Sequence, residues 1–196
     1  MSAHIDRFVA DRLPPAALQP QMLRDLSELT FPDQLNLVRE LLDRADEKGW
    51  GDRPMLRSPR ITLSYREARE RVDRIAQVLV HDLGLVPGNR VLLRGGNSIG
   101  LALAWMGVVK AGLVAVATMP LLRAKELSEI IAKAQPSVAL CDATLLHELE
   151  LAQQQQPVLA TIVPFNLMDA PGSLAVRAAA HDGHFSACPT HADDIA

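Results

Sequence analysis

From Arg90 onward, short apolar runs alternate with stretches whose apolar residues recur every three to four positions. This pattern predicts a strand at 90–93, a helix at 98–110 and a strand at 113–117. A helix at 124–134, a strand at 137–141, a helix at 144–153 and a strand at 158–163 follow. The strands recur at intervals of about 22–24 residues, the period of βαβ units. Their sequences (VLL, LVAVA, SVALC, VLATIV) are continuous apolar runs rather than alternating ones, as burial on both faces requires. The predicted fold class is α/β, a mostly parallel sheet with covering helices.

Upstream the pattern changes twice. Leu13 to Pro32 holds four prolines and little periodicity. It reads as an extended arm with one short helical turn around Met22 to Leu29. Leu35, Val38, Leu41, Leu42 and Ala45 then fall at helical spacing, with Asp33 placed as N-cap and Gly49 and Gly51 closing the helix. Met55–Arg57 and Arg60–Leu63 read as two short strands around Ser58-Pro59. Ser64 and Glu67 form a capping-box pair ahead of a long helix carrying Ala68, Val72, Ile75, Ala76, Leu79 and Leu83, with Gly84 just past its end. The division expected is an arm at 1–33 and an α/β lobe at 34–196. After Pro164 the signal weakens. Leu174–Val176 reads as a short strand and Ala178–Pro189 as an irregular surface loop.

Composition narrows the class. The 196 residues are 48% hydrophobic but only 4% aromatic, so the core is built from Ala, Val, Leu and Ile. A net charge of −3, with both signs interspersed, offers nucleic acid or an anionic membrane no attractive face. Leu101–Met119 is interrupted by Gly107, Lys110 and Gly112, and reads as a helix and a buried strand rather than a membrane span. Two distant cysteines, Cys141 and Cys188, and an N-terminus without an apolar leader point to reduced thiols in a cytoplasmic protein.

Candidate chemistry is sparse. Gly95-Gly96-Asn97-Ser98-Ile99-Gly100 follows a strand and opens a helix, where a phosphate cradle would sit. It matches neither GxGxxG nor a P-loop, and a tight βα turn capped by Asn97 or Ser98 is the favoured reading. His181, His184, Cys188 and His191 are zinc-ligating types in an unfamiliar spacing, which a solvated loop also accounts for. Arg123, at a helix entrance, suits an anion contact, a capping role or a salt bridge. Asp193-Asp194 would point to opposite faces of a strand, against a shared acid/base dyad. Spacing alone identifies no catalytic, cofactor-binding or metal residue.

Several segments, in order, resemble the adenylate-forming (AMP-dependent) superfamily of acyl- and aryl-CoA ligases, luciferases and peptide-synthetase adenylation domains. Leu63-Ser64-Tyr65-Arg66-Glu67-Ala68 is similar to its first core motif, and Leu85-Val86-Pro87-Gly88-Asn89-Arg90-Val91 to its GVxxGDRV turn. Asn97-Ser98 stands where NS opens the next helix. Val109-Lys110-Ala111-Gly112, continuing to Met119-Pro120-Leu121-Leu122-Arg123 and Glu126-Leu127, resembles the second motif. Ala192–Ala196 resembles the TxxDDxA lead-in to the third. The CoA-ligase branch fits better than the peptide-synthetase one. Arg12-Leu13-Pro14-Pro15, with Leu35-Asn36 opening a helix, resembles the benzoate and 2-aminobenzoate type.

The resemblance implies the first lobe of an enzyme that joins a carboxylic acid, an aromatic one in this branch, to CoA through an acyl-adenylate, using ATP, CoA and Mg2+. In the family a Ser/Thr/Gly-rich loop with a lysine follows the DDxA lead-in, and the given residues stop at Ala196 before any such loop. No family catalytic residue carries over, so the expectation is an N-terminal piece inactive by itself, with no cofactor bound, that pairs as a homodimer. The rival reading is a self-contained, non-catalytic α/β module binding a small molecule or protein.

Overall fold

In a computed structural model, residues 2–21, 23, 26–167 and 169–196 are described. Four parallel strands form the sheet: β3 (Arg90–Arg94), β4 (Val114–Thr118), β5 (Val138–Asp142) and β6 (Thr161–Phe165), in spatial order β4-β3-β5-β6. A separate antiparallel pair, β1 (Pro54–Arg57) and β2 (Thr62–Ser64), precedes them. The connections are α3 (Ile99–Lys110), α4 (Ala124–Ala134) and α5 (Leu146–Gln155). The chain lays β4 on one side of β3 and then crosses to place β5 on the other. Outgoing loops therefore part at the carboxyl ends of β3 and β5, the position where parallel sheets commonly bind ligands.

Strand alternation divides the core in two. Val91, Leu93, Leu140, Val163 and Phe165 pack against α2 (Tyr65–Gln77) and α3, with α6 (Leu174–Ala179) beside them. Leu92, Ala139 and Cys141 face α4 and α5 through Leu127, Ile131 and Leu149. Both faces of the sheet thus carry helices from within the chain. Only β3 and β5 are deeply enclosed; β4 and β6 are edge strands with partly exposed positions, so burial of all four strands on both faces does not hold.

The helix signals at 64–84 are realised closely. Glu67 N donates to Ser64 Oγ at 3.2 Å and Ser64 N to Glu67 Oε2 at 2.8 Å, completing the capping box. Beyond Gln77 the winding loosens to a π turn, Val78–Asp82, and Gly84 follows at φ +64°. The earlier helix also contains a π winding, Arg39–Asp43, before α1 (Arg44–Glu47). Its cap is Asn36, not Asp33. Asn36 Oδ1 accepts from Val38 N (3.1 Å) and Arg39 N (3.3 Å). Its amide donates to the carbonyls of Val109 (3.1 Å), Lys110 (3.3 Å) and Cys188 (3.1 Å). A side chain that caps one helix and binds the end of another outcompetes an aspartate that could only cap.

Three other expectations are corrected. The last strand begins at Thr161 because Pro157 and Val158 form a turn. Leu174–Val176 is helical, started by Ser173, whose Oγ accepts from Val176 N at 3.3 Å. The segment after Ala179 is no free surface loop. Gln77 Nε2 donates to Asp182 Oδ1 (2.6 Å), Gly183 N to Gln77 Oε1 (3.1 Å) and Arg74 Nη1 to His181 O (2.5 Å), docking it on α2.

In the proline-rich arm, three short 3-10 turns lie at Ala10–Arg12, Ala16–Leu18 and Ser27–Leu29. Met22, Arg24 and Asp25, part of the helical turn expected there, lie outside the described residues. Residues 5–8 dock at the amino edge of the sheet. Ile5 N and Asp6 N both donate to Pro87 O at 3.0 Å, Asn89 Nδ2 donates to Asp6 Oδ2 at 2.7 Å, and Arg90 covers the Phe8 ring at 4.1 Å. Among the described residues no helix is long and apolar enough to cross a membrane.

Candidate functional site

The carboxyl edge of the parallel sheet gathers the loops after β3, β4, β5 and β6. On the α3 side, Ser98 starts α3 with its Oγ accepting from Leu101 N at 3.2 Å, which settles the choice between Asn97 and Ser98. Asp142, ending β5, accepts from Thr144 N (3.0 Å) and Thr144 Oγ1 (2.7 Å) through Oδ1. Its Oδ2 accepts from Asn166 Nδ2 at 2.6 Å. Burial alone would raise the Asp142 carboxyl; the Thr144 and Asn166 donors outweigh it and hold the group below its ordinary value. Asn166 reaches this position from a left-handed backbone, φ +57°.

The glycine turn is shaped by this packing. A Cβ on Gly95 would meet the Phe165 ring at 2.7 Å, and one on Gly100 would meet Asn166 Oδ1 at 2.2 Å. Phe165 and Asn166 thus pack against the two ends of the turn, while the space beside Gly96 is open.

On the α4 and α5 side lies an open cleft of about 290 Å³, whose lining includes Arg94, Pro120, Leu122, Arg123, Thr144 and Glu148. Arg94 is only 1% exposed. Its guanidinium donates to the carbonyls of Met119 (2.9 Å), Pro120 (3.0 Å), Leu122 (2.8 Å) and Leu145 (3.3 Å). Arg123, the other cation of the cleft, pairs with Glu148 at 2.9 Å, and the second oxygen of Glu148 accepts from Ala124 N at 2.9 Å. Arg123 therefore forms a salt bridge and also stands at the N-cap of α4, where its backbone N donates to Glu126 Oε2 at 3.0 Å. The backbone amide of Ala124 and the Arg123 guanidinium hold the Glu148 carboxyl below its ordinary value.

The four zinc-type residues are not brought together. His181 Nε2 lies 3.0 Å from Asp82 Oδ1, His184 is exposed, Cys188 sits against Gly112, and His191 forms an isolated bridge with Gln34. Among the described residues no three His, Cys, Asp or Glu side chains converge as metal ligands. Asp194 Oδ2 accepts from His191 N at 2.7 Å, a turn contact rather than an acid/base pairing.

Sequence reasoning missed Arg94 as a functional-edge residue. A charged residue closing a fully apolar strand run and preceding Gly-Gly was the available signal. It also missed Asn166, for which the sequence carries no local signal.

The comparisons with known proteins agree with this architecture. A family model described as AMP-binding enzyme matches residues 43–196. The 4-hydroxybenzoate–CoA/benzoate–CoA ligase of Rhodopseudomonas palustris is 28% identical over 162 residues, covering 82% of this chain and 30% of that enzyme. The salicyl-AMP ligase/salicyl-S-ArCP synthetase of Mycobacterium tuberculosis is 40% identical over 102 residues, 52% of this chain and 15% of its own length. Among solved structures, the anthranilate CoA ligase AuaEII in complex with anthranoyl-AMP superposes with a TM-score of 0.76 at 22% identity, over 84% of this chain and 31% of that one. The likeness to AuaEII is one of fold. The chain thus spans less than a third of these relatives, in the part that carries the four-stranded parallel sheet. By the family match across most of its length, this chain belongs to the AMP-binding enzymes, the adenylate-forming family.

Proposed function

We propose that this chain is the first α/β lobe of an ATP-dependent carboxylic acid–CoA ligase, and that the acid is aromatic. The observation that carries the reading is the family match over 43–196. The names of relatives that act on benzoate, 4-hydroxybenzoate and salicyl groups support the aromatic choice. In the reaction proposed, the acid's carboxylate attacks ATP to give an acyl-adenylate and pyrophosphate, and the CoA thiol then displaces AMP. ATP, CoA and Mg2+ serve the whole protein in this reading. The lobe's own residues form a scaffold for the acid-activating site. No Ser/Thr/Gly-rich lysine loop occurs among the 196 residues, and such phosphoryl chemistry depends on positioned charge. Residues 1–33 act as an arm, held on the lobe at 34–196 through residues 5–8, and the protein is cytoplasmic.

Pyrophosphate exchange tests the reading. The protein carrying this lobe exchanges label with benzoate or 2-aminobenzoate, and preference for a long-chain fatty acid overturns the aromatic assignment. The 196-residue chain by itself gives no exchange; robust exchange from it refutes the scaffold role. The lobe also associates as a two-fold dimer through the open edge of β4, since an unpaired strand edge invites pairing. Light scattering that finds a monomer across a hundredfold range of concentration (about 1 to 100 μM) removes the dimer.

A further inference from the structure

Arg94 ends β3, the strand lying between β4 and β5 in the sheet. It lies on the same strand face as Leu92, towards α4 and α5. Three of the carbonyls it binds, those of Met119, Pro120 and Leu122, belong to the loop leaving β4, and the fourth, Leu145 O, to the loop leaving β5. A guanidinium offers five N–H donors in a planar fork and no acceptor, so one group can bind carbonyls on both sides. Four of those five donors are used here. No carboxylate bonds to the guanidinium among the described residues, and Glu148, beside it, is committed to Arg123 and Ala124 N. Arg94 is therefore not half of an ion pair. Its partners are backbone dipoles, and what it fixes is geometry.

The geometry points to Arg94 as a positioning residue that clamps the loops after β4 and β5 into one unit and so sets the shape of the cleft at the carboxyl edge. Its bearing on catalysis rests on the ligase reading above; the clamp does not. Both loops feed directly into helices, α4 from Ala124 and α5 from Leu146. Arg94 thereby fixes where two helix entrances stand relative to β3. The same loop presents Met119 and Leu121 outward, 62% and 81% exposed, so the clamp also orients two large apolar side chains at the edge. Lysine cannot replace it. Three donors around one point on a single nitrogen do not span carbonyls contributed by two separate loops.

The test uses hydrogen exchange on the 196-residue chain, followed at the amides of Leu122, Ala124 and Thr144. These bond to Met119 O, Glu148 and Asp142 respectively. Arg94→Ala accelerates exchange at all three by about tenfold or more and leaves the α2 and α3 amides unchanged. Arg94→Lys behaves like Arg94→Ala. Guanidinium chloride at low millimolar concentration, entering the vacated space through the cleft, restores protection in Arg94→Ala, and sodium or ammonium chloride at equal ionic strength does not. Arg94→Gln carries the same comparison if the alanine variant fails to fold. Faster exchange in only one loop, protection kept by lysine, or equal rescue by sodium chloride each overturns the clamp. In the protein that carries this lobe, Arg94→Lys raises KM for the acid or CoA by about tenfold with kcat within about threefold. Unchanged KM despite a broken clamp overturns the positioning role. Absence of acid activation in the wild type sinks the ligase reading instead, and the exchange data still decide the clamp.

Discussion

Lys110 and Arg94 are the two largest side chains sealed inside the lobe, each 1% exposed, and they are held in opposite ways. Lys110 ends α3. Its ammonium lies 2.6 Å from Asp43 Oδ1 and makes a close ion pair with Asp73 Oδ1. It ties the π winding before α1, and α2, to the end of α3, and two carboxylates answer one cation. Among the described residues Arg94 has no carboxylate partner, and it is met by four backbone carbonyls. A compact ammonium suits converging point charges; a planar fork suits dipoles spread along two loops. The difference follows the division of the fold. The α2–α3 face is a helical core in which charged side chains on neighbouring helices can face one another. The carboxyl edge is made of loops, whose unpaired carbonyls are the available partners.

Breaking the charged cluster is expected to have the largest effect. Lys110→Met leaves Asp43 and Asp73 facing each other without their cation, and removing one member of a buried pair costs about 3–5 kcal/mol. Urea unfolding of the 196-residue chain measures it. A loss under about 1 kcal/mol means that the carboxylates find water or protons at little expense, and the contrast with Arg94 collapses.

Arg94→Met is expected to cost less, about 1–3 kcal/mol. The stranded groups are neutral carbonyls in loops beside an open cleft, and water reaches some of them once the guanidinium is gone. The same urea titration ranks the two variants. If Arg94→Met proves more damaging than Lys110→Met, the edge is the more rigid region and the assignment of roles reverses.

Much of the fold was legible because it rests on local chemistry. The apolar runs at Val91–Leu93 and Val138–Cys141 mark strands enclosed by both helical layers. Ser64 with Glu67, and Ser98, mark helix starts whose donors lie three residues away. What escaped depends on distance. Asn36 is preferred over Asp33 by carbonyls at Val109, Lys110 and Cys188, far along the chain. Leu174–Val176 is too short for apolar periodicity to separate strand from helix, and Ser173 decides it. Lys110 looked like a polar interruption of an apolar stretch because its counter-charges come from two other helical segments. The packing of the glycine turn also escaped, because Phe165 and Asn166 reach Gly95 and Gly100 from the end of β6.

Two carboxylates sharpen the comparison further, through opposite dependence on pH. Burial pushes the Asp73 carboxyl above its ordinary range, against the pull of Lys110. Asp142 is also raised by burial, but the Thr144 and Asn166 donors prevail and leave it lowered. A raised folded value means that the native state binds the proton more readily than the unfolded chain. The stabilisation from Asp73 is therefore complete below the unfolded value, about 3.9, and is lost as pH rises through the folded one. A lowered folded value works the other way. The stabilisation from Asp142 is present above about 3.9 and is lost as pH falls through its folded value. Asp73→Asn removes the first contribution, so its stability relative to the wild type improves as pH rises from about 4 towards neutrality. Asp142→Asn removes the second, so its relative stability worsens as pH rises through the acid range. Each slope amounts to less than either cation replacement. Urea midpoints for both variants and the wild type, taken at several pH values between acid and neutral, give the two differences directly, since groups common to all three chains cancel. Slopes of the same sign would show that burial, not donor count, governs both carboxylates, and that the edge and the helical core treat charge alike after all.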